Sequence, residues 1–153
     1  AWAGNPTHPN DANRSIALET LRPLWAQVPA ARFYSLKKEM TDADAMTLRT
    51  ATEITDLAPR LDDFGDTAAA IAELDLVIAV DTSIAHLAGA LGRPVWILLP
   101  YSPDWRWLLE RSDCPWYPTM RLYRQRTAGD WSDVFAAMKR DLAVHVQKRA
   151  TAR

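Results

Sequence analysis

At 153 residues the chain has the size of one domain and can bury a core of its own; 48% apolar and 24% charged residues is a globular balance. A net charge of −1 gives no reason to expect nucleic acid or an anionic membrane as partner, and no run of about 18 apolar residues is available to span a bilayer. The single cysteine, Cys114, excludes an internal disulfide, and His8, His86 and His145 are too scattered to give a metal-ligand spacing. With no visible signal peptide, a reducing cytoplasm is the expected setting.

Ala1 to Gly4 reads as the end of a strand whose beginning is missing, so a longer parent protein is expected. Gly4 to Ser15, GNPTHPNDANRS, is a polar turn-rich loop, followed by apolar positions at Ile16, Leu18, Leu21, Leu24 and Trp25. That sequence is strand, long loop, helix, with Pro23 expected to kink or end the helix. A loop at the carboxyl end of a first parallel strand lies at the ligand edge of an open sheet. Arg14 would stand near the helix start, where its fork suits a phosphate; the plain alternative is a solvated loop whose Asn and Asp residues only make turns. Arg32 to Leu36 is a short strand, with Lys37 and Lys38 at its carboxyl end, either facing a nucleotide or forming a wet turn. Thr41 to Thr52 is weakly helical, and Glu53 to Ala58 a short strand. Phe64-Gly65 reads as a turn and Asp66 as the N-cap of a helix over Thr67 to Leu74.

Leu76 to Pro100, LVIAVDTSIAHLAGALGRPVWILLP, organises the rest. An apolar run ends at Val80, and Asp81, Thr82 and Ser83 follow. Ile84, Leu87, Ala88 and Leu91 then recur at helical spacing, Gly92 stands at a helix C-terminus, and Pro94 precedes the apolar run Val95 to Leu99. This is a buried strand, a tight polar turn, a helix and a second buried strand. Asp81, Thr82 and Ser83 therefore face a helix N-terminus, whose free N–H groups and dipole favour a phosphate. His86 falls opposite the apolar stripe, on the side of Ser83, so a carboxylate, two hydroxyls and an imidazole converge; an ordinary cap beside a solvated histidine is the alternative.

Tyr101 to Pro118 is a long loop holding Trp105, Trp107, Trp116 and Tyr117, suited to packing or to stacking on a ring. Met120 to Tyr123 is a last short strand, and Gly129-Asp130 opens a helix with Trp131, Val134, Phe135, Met138, Leu142 and Val146 on one face. A domain over residues 1–147 is expected, with 148–153 a basic frayed tail. The alternation of strands and helices predicts an α/β fold: a Rossmann-like three-layer domain with a mostly parallel sheet. Neither a Gly-x-Gly-x-x-Gly fingerprint nor a P-loop is present.

Several segments together resemble a known family: WAGNPTH at Trp2 to His8, NDANRS at Asn10 to Ser15, DTSIAH at Asp81 to His86, GRPVW at Gly92 to Trp96, PDWRW at Pro103 to Trp107, and Trp116 to Pro118. They are similar to the C-terminal region of bacterial tetratricopeptide-repeat glycosyltransferases. Those are relatives of the heptosyltransferases of glycosyltransferase family nine and, more distantly, of O-linked N-acetylglucosamine transferases. The resemblance covers nearly the whole chain and implies the C-terminal, donor-binding half of a two-domain GT-B enzyme. It implies donor-binding roles for Asn5, Arg14, Lys37, Asp81, Thr82, Ser83 and His86: Asp81 on sugar or ribose hydroxyls, Thr82 and Ser83 on the diphosphate, His86 beside it, and Arg14 as a phosphate contact. Three departures leave the nucleotide and the sugar open. Heptosyltransferases usually carry glycine at the position of Ser83 and lysine in the first loop, and no ribose-binding acid stands at Lys37.

The implied activity is transfer of a sugar from a nucleotide-diphosphate donor, which is a substrate; no cofactor and no metal is expected. The acceptor's general base would come from the missing N-terminal half, so the catalytic residue is unknown and the chain alone is expected to bind donor weakly and transfer nothing. The expected partners are the donor, that N-terminal half and tetratricopeptide repeats of the same protein. The alternatives are a non-catalytic interaction module of the same fold, or an enzyme like a nucleotide-sugar epimerase.

Overall fold

The structure, a computed structural model, describes residues 1–26 and 28–151. In chain order its elements are α1 (Asp11–Arg14), a 3-10 turn (Leu18–Leu21), α2 (Arg22–Ala26), β1 (Phe33–Ser35), α3 (Asp42–Thr50), β2 (Ile54–Asp56), α4 (Phe64–Ala72), β3 (Val77–Val80), α5 (Ser83–Ala90), β4 (Val95–Leu99), β5 (Met120–Arg124) and α6 (Ser132–Thr151). All named strand pairs are parallel: β1 with β2, and β3 with β4 with β5. The alternating pattern thus gives an α/β fold of Rossmann-like layering. Ala1 continues the larger sheet, since its nitrogen donates to the Ile78 carbonyl (2.9 Å) and the Val80 N–H donates to the Ala1 carbonyl (3.0 Å). These are the two bonds of a parallel bridge, so the residues read as a strand end do pair as one.

The sheet is covered on both faces, as a continuous apolar strand requires. Every residue of β4 is buried. Val95, Ile97 and Leu99 pack with Ala79, Leu122, Ile71 of α4, and Ala85 and Ala88 of α5. Trp96 and Leu98 point the other way, onto Trp2, Leu24 and Trp25 of α2, and Val134, Met138 and Leu142 of α6. The two-residue period of the strand therefore sorts one apolar run into two cores.

Several boundaries differ from the expectations. Pro23 opens α2 rather than ending a helix, because a proline in the first turn has no N–H to lose there. Phe64-Gly65 is not a turn: α4 starts at Phe64, because the Asp63 carboxylate accepts from the Asp66 N–H (2.9 Å) and makes Asp63, not Asp66, the cap. On α5 the buried residues are Ala85, Ala88 and Gly89, while Leu91 is exposed. Small side chains face the sheet there, and Leu91 already belongs to the helix end. Gly92 follows in the left-handed region (φ 66°), its N–H bonding the Gly89 carbonyl and that of Arg93 the Ala88 carbonyl. The α6 helix runs to Thr151, so residues 148–151 of the expected frayed tail are helical; Ala152 and Arg153 lie outside the described residues.

The weakly periodic segment after Thr41 is a full helix, α3, capped by the Thr41 hydroxyl accepting from the Asp44 N–H (3.1 Å). Its polar pattern hid a structural role. Asp44 is buried and its carboxylate accepts from the Trp2 indole N–H (3.0 Å) and the Leu18 N–H (2.8 Å), tying the amino-terminal segment to the helix.

Candidate functional site

β3 ends at Val80 and α5 begins at Ser83, so Asp81 and Thr82 form the whole turn at the carboxyl edge of the sheet. Thr82 is extended (φ −143°, ψ 168°) and occupies the N-cap without a side-chain cap bond. Its carbonyl takes the N–H groups of both Ala85 and His86, while the first N–H groups of a helix have no acceptor within it. The Thr82 hydroxyl is buried and without a hydrogen-bond partner among the described residues.

The first loop reaches this turn through Arg14. Its Nη1 donates to the Asp81 carbonyl (2.7 Å) and its Nε to the Asp11 carboxylate (3.2 Å), and the side chain is only 12% exposed. The guanidinium lies against Gly4, where an added Cβ would sit 2.5 Å from Arg14 Nη2 and would push the guanidinium from its present place. On the other side of Gly4, the Lys37 ammonium donates to its carbonyl (2.9 Å).

These contacts border a cleft of about 770 Å³. Arg14, Asp81, Thr82, Ser83 and His86 line it, together with His8, Asn10 and Asn13 from the first loop and Ser102, Pro103, Asp104 and Arg106 from the loop after β4. Asn5 and Lys37 do not line it. The Asn5 side chain accepts from the N–H and hydroxyl of Thr7, which is turn chemistry, and Lys37 stands behind Gly4. The far wall was not read from the sequence as a set of ligands. In it Asp104 pairs with Arg106 (2.8 Å) and caps a 3-10 turn over Trp105–Trp107. The signal was present, since PDWRW is one of the segments that carry the family resemblance, but in the sequence only its aromatic members read as ligand contacts.

His86 stands at the mouth of α5 with three neighbours. Its Nε2 lies 3.8 Å from the Asp81 carboxylate, its Nδ1 3.1 Å from the Tyr117 hydroxyl, and its ring is stacked on Trp107 with centroids 5.1 Å apart. Trp107 is fully buried, whereas Trp105 and Trp116 are exposed, so the aromatic loop both packs and presents rings to solvent. Cys114 is a buried free thiol in the same apolar cluster as Trp107, and it does not line the cleft. Among the described residues no group of three or more His, Cys, Asp or Glu side chains is arranged to hold a metal, and no helix is long and apolar enough to cross a membrane.

Residues 30–108 match the model of glycosyltransferase family 9 (heptosyltransferase), a span that takes in β1 to the first part of the aromatic loop and includes Asp81 to His86. Over 69 residues the chain is 38% identical to Protein FlbA of Caulobacter vibrioides; the match covers 45% of this chain and 11% of that protein. No solved structure matches the chain.

Proposed function

This chain belongs to glycosyltransferase family 9, and we propose that it holds the diphosphate of a nucleotide-sugar donor in the cleft at the carboxyl end of β3. The observation that carries the reading is the meeting of two distant segments: the Arg14 guanidinium on the Asp81 carbonyl, beside the N-terminus of α5. As the glycosidic bond to the diphosphate breaks, negative charge grows on the leaving oxygens. In this reading the first N–H groups of α5 and the cationic side chains Arg14 and Arg106 stabilise that charge without reorganising. Asp81 suits a hydroxyl donor of the sugar or ribose, because an ionised carboxylate only accepts. The proposed transfer is metal-independent, with Arg14, Arg106 and the α5 N–H groups meeting the diphosphate.

In this reading the general base for the acceptor comes from an N-terminal half of a GT-B enzyme. The chain spans 11% of the length of the curated relative it matches, so the transfer, its acceptor, tetratricopeptide repeats and a cytoplasmic setting all belong to the proposal. Titration of the chain with UDP, GDP and ADP and their sugars, followed by amide NMR shifts, tests it. Shifts centred on Asp81 to His86 and Arg14 are expected; saturating nucleotide with no shift in these residues would sink the reading. A second reading, an interaction module on the same fold, draws on the exposed Trp105 and Trp116 beside the cleft. Replacing both with Ala separates the two: lost association with intact nucleotide binding favours the module.

A further inference from the structure

Tyr117 lies 31 residues from His86 in sequence, yet its hydroxyl meets His86 Nδ1 at 3.1 Å and its ring meets the imidazole edge-on, centroids 5.8 Å apart. The seat for that ring is made by Gly89, three residues beyond His86 on the same face of α5. A Cβ on Gly89 would stand 2.6 Å from Tyr117 Cγ and 2.8 Å from Cδ1, too close for any side chain while the ring stays. Trp107 closes the opposite side by stacking on the imidazole. The imidazole is thus held by a stacked ring, an edge ring and one hydroxyl, with Nε2 left toward Asp81 and the cleft.

Neutral imidazole has one N–H and one acceptor nitrogen, and the partner of one decides the state of the other. Asp81, 3.8 Å from Nε2, only accepts when ionised, whereas the Tyr117 hydroxyl can donate. We propose that Tyr117 is a positioning residue: by donating its O–H to Nδ1, and seated on Gly89, it fixes His86 as the Nε2–H tautomer and so presents an N–H donor to the cleft. The proposal takes its consequence for donor binding from the function proposed above, but the tautomer itself does not depend on it. A diphosphate in the cleft then meets a fourth donor beside Arg14, Arg106 and the α5 N–H groups, already aimed before the ligand arrives.

Long-range proton–nitrogen correlation of the His86 ring in the 153-residue chain, at alkaline pH and without ligand, reads the tautomer directly. The Nε2–H form is expected in the wild type, and Tyr117→Phe is expected to shift it toward a mixture. UDP affinity should fall about threefold to tenfold in Tyr117→Phe, the worth of one hydrogen bond. Gly89→Ala should reproduce the tautomer shift with the hydroxyl still present. An Nδ1–H ring in the wild type, or an unchanged tautomer in a folded Tyr117→Phe, overturns the proposal. If Tyr117→Phe does not fold, the wild-type tautomer and Gly89→Ala still decide it. A wild type that shows the Tyr117-dependent tautomer but binds no nucleotide refutes only the proposed function.

Discussion

The two edges of the sheet carry hollows of nearly equal size, about 770 Å³ at the carboxyl ends of the strands and about 710 Å³ at the amino ends. Each also holds a histidine on a helix against a tryptophan: His86 on Trp107 and His145 on Trp96. Both are bordered by charged side chains, but only the amino-edge hollow is walled largely by big apolar ones. The carboxyl edge collects Asp81, Asp104, Arg14 and Arg106 around a helix N-terminus. The amino edge is walled mainly by apolar side chains such as Leu18, Leu24, Trp25 and Phe33, with Arg32, Glu73, Asp75 and Arg149 at its border, and the buried Nε2 of His145 has no hydrogen-bond partner among the described residues. Volume therefore does not identify the site. Direction does: in a parallel sheet the carboxyl edge receives every helix N-terminus and every loop that returns polar groups, while the amino edge receives helix ends packed on apolar side chains.

The strongest way to break the contrast is to remove the wall behind His86. Trp107 is 1% exposed, and Trp107→Ala is expected to cost about 3–5 kcal/mol in urea unfolding, with His86 losing its stacked partner. Next is Arg14→Ala. A charge-assisted hydrogen bond is worth about 1.5–3 kcal/mol, so diphosphate affinity measured by calorimetry should fall roughly 10- to 150-fold. Arg149→Ala at the other edge, which breaks an exposed pair with Asp75 (2.8 Å), should leave that affinity unchanged. Asp44→Ala acts outside the cleft, on the tie between α3 and the amino-terminal segment. It strands the Trp2 indole N–H and the Leu18 N–H, which predicts a loss of about 1–3 kcal/mol in stability with the cleft's geometry kept.

A smaller effect is expected at His145 as pH changes. Burial first, then the positive charge of Arg149, lowers the His145 pKa from its ordinary value, Asp75 opposing the shift. Its contribution to stability is therefore complete above the unfolded histidine's pKa of about 6.5 and declines as pH falls through the folded value, where the ring must charge against its surroundings. Unfolding free energy followed from about pH 7.5 down to about pH 5 should fall less steeply in His145→Gln than in the wild type. The smallest change expected is that of Ser83→Gly, which restores the residue common in heptosyltransferases. Ser83 is exposed, so stability should move by no more than about 0.5 kcal/mol, and any change in donor affinity isolates what the hydroxyl adds.

The unit from Leu76 to Pro100 was legible because each of its instructions is local. Continuous apolar residues make a doubly covered strand, Gly92 in the left-handed region ends a helix, and Asp81 to Ser83 can only fall between them. The alternation of strands and helices, and with it the ligand edge, followed from the same short-range rules. What the amino-acid order did not determine was which polar group meets which. Arg14 and Asp81 are 67 positions apart, Trp2 and Asp44 are 42, and His86 and Tyr117 are 31. Lys37 and Asn5 had the right chemistry for a ligand and found backbone and turn partners instead. Periodicity is imposed by neighbours within one turn or one pleat, so a sequence carries it openly. The partner of a single hydrogen-bonding side chain is chosen by chain crossings that come into being only when the layers pack.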